Sequence, residues 1–252
     1  MADRDLQGMS GDALALDTTQ LLRSVAEQLK VPLTIIARQA ELGQTLGRRD
    51  HQGSPISDAV DLAVLRSQAQ IALSLVDSYL LGLQLMQGQQ RLVLAPVSVS
   101  SLLVEVAHEL RSLARQYDVD IELSIAGRYE PVMAHRQGLK AALLSLGYAL
   151  IGARPEGSHR RLLLAVHRTA GGINAGMYGR FDGLHASAWR KALELCGKAG
   201  RPFGALSGDS GAGLFVAEAI LGAMETGLRV GKHSNNYGLA TTLQPSQQLR
   251  LV

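Results

Sequence analysis

Val25-Ala26-Glu27-Gln28-Leu29-Lys30-Val31-Pro32-Leu33-Thr34-Ile35-Ile36 decides how the rest of this sequence is read. Apolar residues recur at Leu22, Val25, Leu29, Leu33 and Ile36, the spacing of one helix face. Pro32 stands in the middle. In a helix interior a proline removes a backbone hydrogen bond and kinks the chain, at a cost of about 3 kcal/mol. In the first turn it starts a helix without that cost. Local chemistry leaves both readings open: a kinked helix whose kink has a use, or a new helix beginning at Pro32.

Working outward, residues 1–12 are polar and contain Gly8, Ser10 and Gly11, which predicts a frayed N-terminus. Asp12 can cap a helix from Ala13 to about Leu46. Gly47 to Pro55 reads as a loop, and Ser54 or Pro55 opens a second helix that Gly88 closes. In it Leu62, Leu65, Ala69, Ala72, Val76, Tyr79, Leu83 and Met86 alternate spacings of three and four, the pattern of a bundle seam. Ala69 and Ala72 narrow its middle, while Ile71, Leu73, Leu75, Leu80, Leu81 and Leu85 broaden the apolar face. Two long helices joined by a short loop predict an antiparallel hairpin over residues 13–90. Homodimerisation into a four-helix bundle would bury its apolar face; the alternative is that the second half of the chain covers it.

Residues 91–252 have a different texture. Arg91 to Val97 reads as an extended linker, and Ser98 or Ser100 caps a helix to about Gln116 with Leu102, Leu103, Val106, Leu110 and Leu113 buried. Val119–Ile125 alternates as a half-buried strand, and Val132–Ala134 is a second short one. A helix from about Arg136 to Ile151 follows. Arg161–His167 and Ile173–Phe181 form a hairpin around Gly171-Gly172. Ala186–Cys196 and Gly213–Met224 read as helices, and Leu228–Val230 and Leu239–Leu243 as closing strands. The expected fold is α+β: a long helical hairpin followed by an α/β sandwich.

Composition bounds the chemistry. With 252 residues, 46% hydrophobic and 19% charged, the chain is a folded protein of one or two domains. Net charge is +3 and the sequence pI about 9.2, yet the basic doublets Arg48-Arg49, Arg160-Arg161 and Arg190-Lys191 are isolated from one another, so no nucleic-acid stripe exists. One cysteine, Cys196, excludes an internal disulfide and a multi-cysteine zinc site. The longest uninterrupted apolar runs are a few residues, which predicts no membrane span, and the N-terminus lacks signal-peptide character, which predicts a cytoplasmic protein. The histidines at 51, 108, 135, 159, 167, 185 and 233 show no ligand spacing, so no metal site is expected. His108-Glu109 reads as a solvated surface pair.

In this order the chain resembles a sensor histidine kinase core, a dimerisation and phosphotransfer hairpin followed by a GHKL-type ATPase domain. Leu29-Lys30-Val31-Pro32-Leu33-Thr34 is similar to the end of that family's H-box, His-Glu-Leu-Lys-Thr-Pro-Leu-Thr. Leu75-Val76-Asp77-Ser78-Tyr79-Leu80-Leu81 resembles the second hairpin helix, and Pro96 to Leu103 the entry to the ATPase domain. The resemblance favours a kinked continuous helix through Pro32. It also shows what has gone. The phospho-accepting histidine is Glu27, and a carboxylate does not replace that imidazole nucleophile. The acidic residue after it is Gln28, which takes no proton near neutral pH. Four residues after the histidine position, a hydroxyl or amide tied to phosphatase activity is Val31.

The resemblance implies an equally stripped nucleotide site. The N-box asparagine that holds Mg²⁺ and phosphate falls near Tyr148, and the helix around it offers a hard cation little beyond Ser145 and Tyr148. Phe181-Asp182-Gly183-Leu184 is a poor remnant of the adenine-reading D-x-G-x-G box. Gly211-Ala212-Gly213-Leu214 survives like the second glycine box, where backbone N–H groups would approach a phosphate. Residues 201–211 stand where the family has its ATP lid. The implied protein is a pseudokinase scaffold of two-component signalling with no catalytic residue and no resident cofactor. It would form a homodimer through its hairpin and dock a response-regulator receiver domain, with Glu27 a fixed negative charge at the docking face. Two rival readings are an ATP-binding or histidine phosphotransfer enzyme with a displaced site at His108 and Gly211–Gly213, and a structural subunit of a larger assembly.

Overall fold

Apolar spacing and capping chemistry set each element of the computed structural model, which describes residues 29, 32–41, 62–152, 160–181 and 211–246. Helix α1 covers 32–41. After it come α2 (Leu62–Met86), β1 (Ala95–Val97), α3 (Val99–Gln116), β2 (Val119–Ile125), β3 (Val132–Ala134) and α4 (Arg136–Gly152). The chain closes with β4 (Arg160–Thr169), β5 (Gly172–Gly179), α5 (Gly211–Gly222), β6 (Leu228–His233) and β7 (Asn236–Leu243). The expected helix over Ala186–Cys196, the lid-like loop over 201–210 and the Asp182 remnant lie outside the described residues.

Ser98 is the N-cap of α3: its extended backbone starts the helix and its hydroxyl accepts from the Ser101 N–H at 3.4 Å. Leu102, Leu103, Val106, Leu110 and Leu113 form the buried stripe that their spacing predicts. Arg136–Glu105 and Lys140–Glu109 (2.6 Å) pair α4 with α3 one helical turn apart along the solvent edge. Helix α4 is buried almost all round from Ala142 to Ile151, because it packs against α2, α3, α5 and the sheet.

The main sheet runs β2-β4-β5-β7-β6, with β2 parallel to β4 and the other pairs antiparallel. Leu162, Leu164, Val166, Ile173, Ala175, Met177, Leu239 and Leu243 join the helices in the main core. On the opposite face Ala165, Tyr178 and Ala240 make a second, smaller buried cluster with Leu163 against it. Glycines allow that face to curl: a Cβ on Gly176 would lie 2.5 Å from the Ala240 Cβ. The β6–β7 turn has Ser234 and Asn235 both at positive φ (47° and 64°), the geometry of a tight two-residue hairpin.

Three expectations need correction. The linker contains β1, which pairs antiparallel with β3 in a separate two-stranded sheet. Strand β2 buries only Val119, because it is an edge strand. The third concerns α2. Among the seam residues whose burial is described only Tyr79 is buried; Leu65, Ala69, Ala72, Val76 and Leu83 are half-buried and Met86 is exposed. The buried stripe lies alongside, at Gln68, Ile71, Leu75, Ser78, Tyr79 and Gly82. It packs on α5 and α4, so the second half of the chain covers this part of the apolar face. Gly82 marks the closest approach: a Cβ there would be 3.3 Å from the Val216 Cγ1. The small residues that admit a neighbour are therefore Ser78 and Gly82, rather than Ala69 and Ala72. Helix α2 also has the length and apolar content to cross a membrane over Val64–Met86. The sequence reading missed this because Gln68, Gln70, Ser74, Asp77 and Ser78 break every run while leaving the average apolar.

Candidate functional site

The region that resembles a nucleotide site is built from α4, the start of α5 and the face of α2 that lies on both. Gly213 is buried in the first turn of α5, and a Cβ on it would sit 2.6 Å from the Ser145 carbonyl oxygen and 3.2 Å from the Ala149 Cβ. Gly213 thus brings two helix backbones together. Gly211 is the first residue of that helix, and Leu214 beside it is buried.

Tyr148, near the N-box position, is 7% exposed. Its hydroxyl is hydrogen-bonded to the Ser74 side chain of α2. Burial and then the nearby Glu109 carboxylate push its pKa far up, and the Ser74 bond offsets only part of this. The phenol therefore stays protonated at physiological pH. Burial also raises Tyr79 of α2 far above its ordinary value. Ser78 donates to the Ser74 carbonyl at 2.7 Å, turning its own hydroxyl back onto α2. The Ser145 Oγ, also buried, has no hydrogen-bond partner.

This donor set does not fit Mg²⁺, which wants near-octahedral oxygen ligands and usually a carboxylate. Among the described residues of α4 and the first turn of α5 the buried side-chain oxygens are hydroxyls, one already committed to α2, and the nearby Glu109 carboxylate is paired with Lys140. No group of three or more His, Cys, Asp or Glu among the described residues could hold a metal.

The opening stretch is only partly described. Glu27, Gln28, Lys30 and Val31 lie outside the described residues. Leu29 and residues 32–41 are helical, Pro32 is buried, and Leu29 packs against the main core. The structure therefore brings Tyr148, Gly211 and Gly213 into one helical junction. Sequence reasoning missed Ser74, Ser78 and Gly82, which bring α2 onto it. A small-residue spacing within α2 was the available signal, but the neighbour that uses it lies far along the chain.

With helices on one face of a mixed five-stranded sheet and the helical segments α1 and α2 preceding them, the chain has the fold of a histidine-kinase core. Among solved structures it is similar to the histidine kinase AdeS of Acinetobacter baumannii, with TM-score 0.51 and 16% identity over 87% of this chain and 98% of that one. It is similar also to full-length ShkA in complex with AMPPNP, with TM-score 0.50 and 16% identity over 88% of this chain and 46% of that one. At such identities the likeness is one of fold. No protein-family model matches the sequence. No curated protein matches it either.

Proposed function

We propose that this chain is a catalytically inactive, histidine-kinase-like signalling scaffold, a cytoplasmic homodimer that docks a partner such as a response-regulator receiver domain. The observation that carries the reading is the helical junction. Tyr148 stands near the place of a magnesium-holding asparagine and is tied to α2, and the surviving Gly213 serves a helix contact. Glu27, Gln28 and Val31 support it from the other side of the reaction, since none supplies the nucleophile, base or amide that phosphoryl transfer uses. Dimerisation is supported by the outward side of α2, where Leu73 and Leu80 are 59% and 52% exposed beside half-buried Ala69, Ala72, Val76 and Leu83. A partner helix laid there would bury them.

The test is incubation of the full chain with Mg²⁺ and ATP labelled on its γ-phosphate. The expected result is no label on the protein, with or without a receiver domain present. Incorporation of acid-labile phosphate would overturn the reading and favour the displaced-site enzyme.

A further inference from the structure

The curled face of the sheet, away from the helices, holds a polar cluster that the helical junction does not use. His167 of β4 and His233 of β6 stack with ring centroids 5.0 Å apart and planes 28° from parallel. Tyr178 of β5, fully buried, lies against both, at 5.4 Å from His233 and 6.3 Å from His167. The Nε2 of His233 is 3.3 Å from the Ser124 Oγ of β2. Strands β2 and β6 are the two edges of the five-stranded sheet, so this contact draws the β6–β7 tip across the whole curled face. Stacked rings do not present converging nitrogens to a metal, and among the described residues no third ligand joins them.

The cluster is built for a neutral imidazole at His167. The Thr242 hydroxyl donates to Asn174 Oδ1 at 3.0 Å, which turns the Asn174 amide nitrogen toward His167 Nε2 at 3.3 Å. The amide donates there, so Nε2 must accept. A proton on Nε2 would set donor against donor unless Asn174 turned over. His167 Nδ1 is buried without a partner, as is the Tyr178 hydroxyl. Charges on the surrounding strands give no relief. Strands β5 and β7 carry none. On β2 and β4, Glu122 pairs with Arg161 at 3.3 Å, Arg168 pairs with Glu130 at 3.5 Å, Arg160 donates to the Ile151 carbonyl at 3.1 Å, and Asp120 has a partner of its own. On β6 the charged groups are Arg229 and Lys232, both cationic, with Lys232 over the Tyr237 ring. No carboxylate pairs with either imidazole among the described residues.

We propose that the His167–His233 stack is a pH-sensitive latch: a neutral His167 keeps the stack closed and the β6–β7 tip across to Ser124, and protonation of His167 releases the tip and uncovers Tyr178. The sign follows from the environment of His167, whose pKa is lowered from 6.5, first by burial and then by His233. The latched state therefore binds fewer protons than the open one. The latch is strongest above about 6.5 and weakens as pH falls through that value.

Amide hydrogen exchange of residues 231–238, corrected for intrinsic rates, tests this between pH 7.5 and pH 5. Exchange at the tip is expected to quicken about fivefold at pH 5, the scale of losing one hydrogen bond when the Asn174 amide and a protonated His167 oppose each other as donors. Amides of α3 should keep their protection. His167→Phe keeps a ring in the stack but cannot titrate, and should flatten the pH dependence. No change at the tip, an equal loss in α3, or an unaltered dependence in His167→Phe would each overturn the proposal. Should that variant not fold, an NMR titration of the unaltered protein decides. His167 and tip resonances sharing one midpoint below 6.5 support the latch, and separate midpoints reject it.

Discussion

Tyr148→Asn, which restores the residue type that kinases place near this position, is expected to destabilise the protein and to bring back no phosphoryl transfer. Tyr148 is 7% exposed, on a helix buried almost all round, and its hydroxyl reaches Ser74. Truncation leaves a cavity between α2 and α4 and a buried amide in a place shaped for an aromatic ring. Large-to-small changes at buried aromatic sites cost about 3 kcal/mol or more. For a chain of this size that lowers Tm by roughly 6 to 12 °C. Calorimetric unfolding measures it, with Tyr148→Phe as the comparison that removes only the hydroxyl. A Tyr148→Asn protein as stable as the parent would mean that the ring fills nothing, and that α2 does not rest on α4 as described.

The second large effect is expected at Gly238. Its ideal Cβ would fall on the Met177 carbonyl oxygen and 2.6 Å from the Tyr178 Cα. Both are backbone atoms of the paired strand β5, so no rotamer change makes room. Gly238→Ala must pull β7 from β5 or flatten the curl, at a cost of about 3 kcal/mol by the usual scale of overpacking. Gly222 at the end of α5 is the control, since a Cβ there meets nothing within 4 Å. Gly222→Ala should be neutral, or stabilising by up to about 1 kcal/mol. Urea unfolding of the two variants separates the cases. Equal effects would contradict the close approach of β5 and β7.

How far the chain was legible depended on the range of the interactions involved. Ser98 announces α3, and the Leu102–Leu113 stripe, Val119–Ile125 and Val132–Ala134 follow from local spacing and capping alone. The α2 seam misled because periodicity reports that a face is apolar without saying what will cover it. Ile71, Leu75 and Tyr79 fit a partner helix or the sandwich equally well until Gly82 is seen against Val216. Gly213 carried a similar ambiguity, as a phosphate-cradling glycine and a packing glycine look alike in sequence. The histidine stack was invisible. His167 and His233 sit on strands three places apart in the sheet, and only its curl brings them together.

The central claim is that a histidine-kinase fold has been kept here while its nucleotide chemistry has been lost. Titration of ATP with Mg²⁺ into the 252-residue chain, followed by isothermal calorimetry, tests it most directly. The account predicts no saturable heat. A saturable one-site isotherm would contradict it.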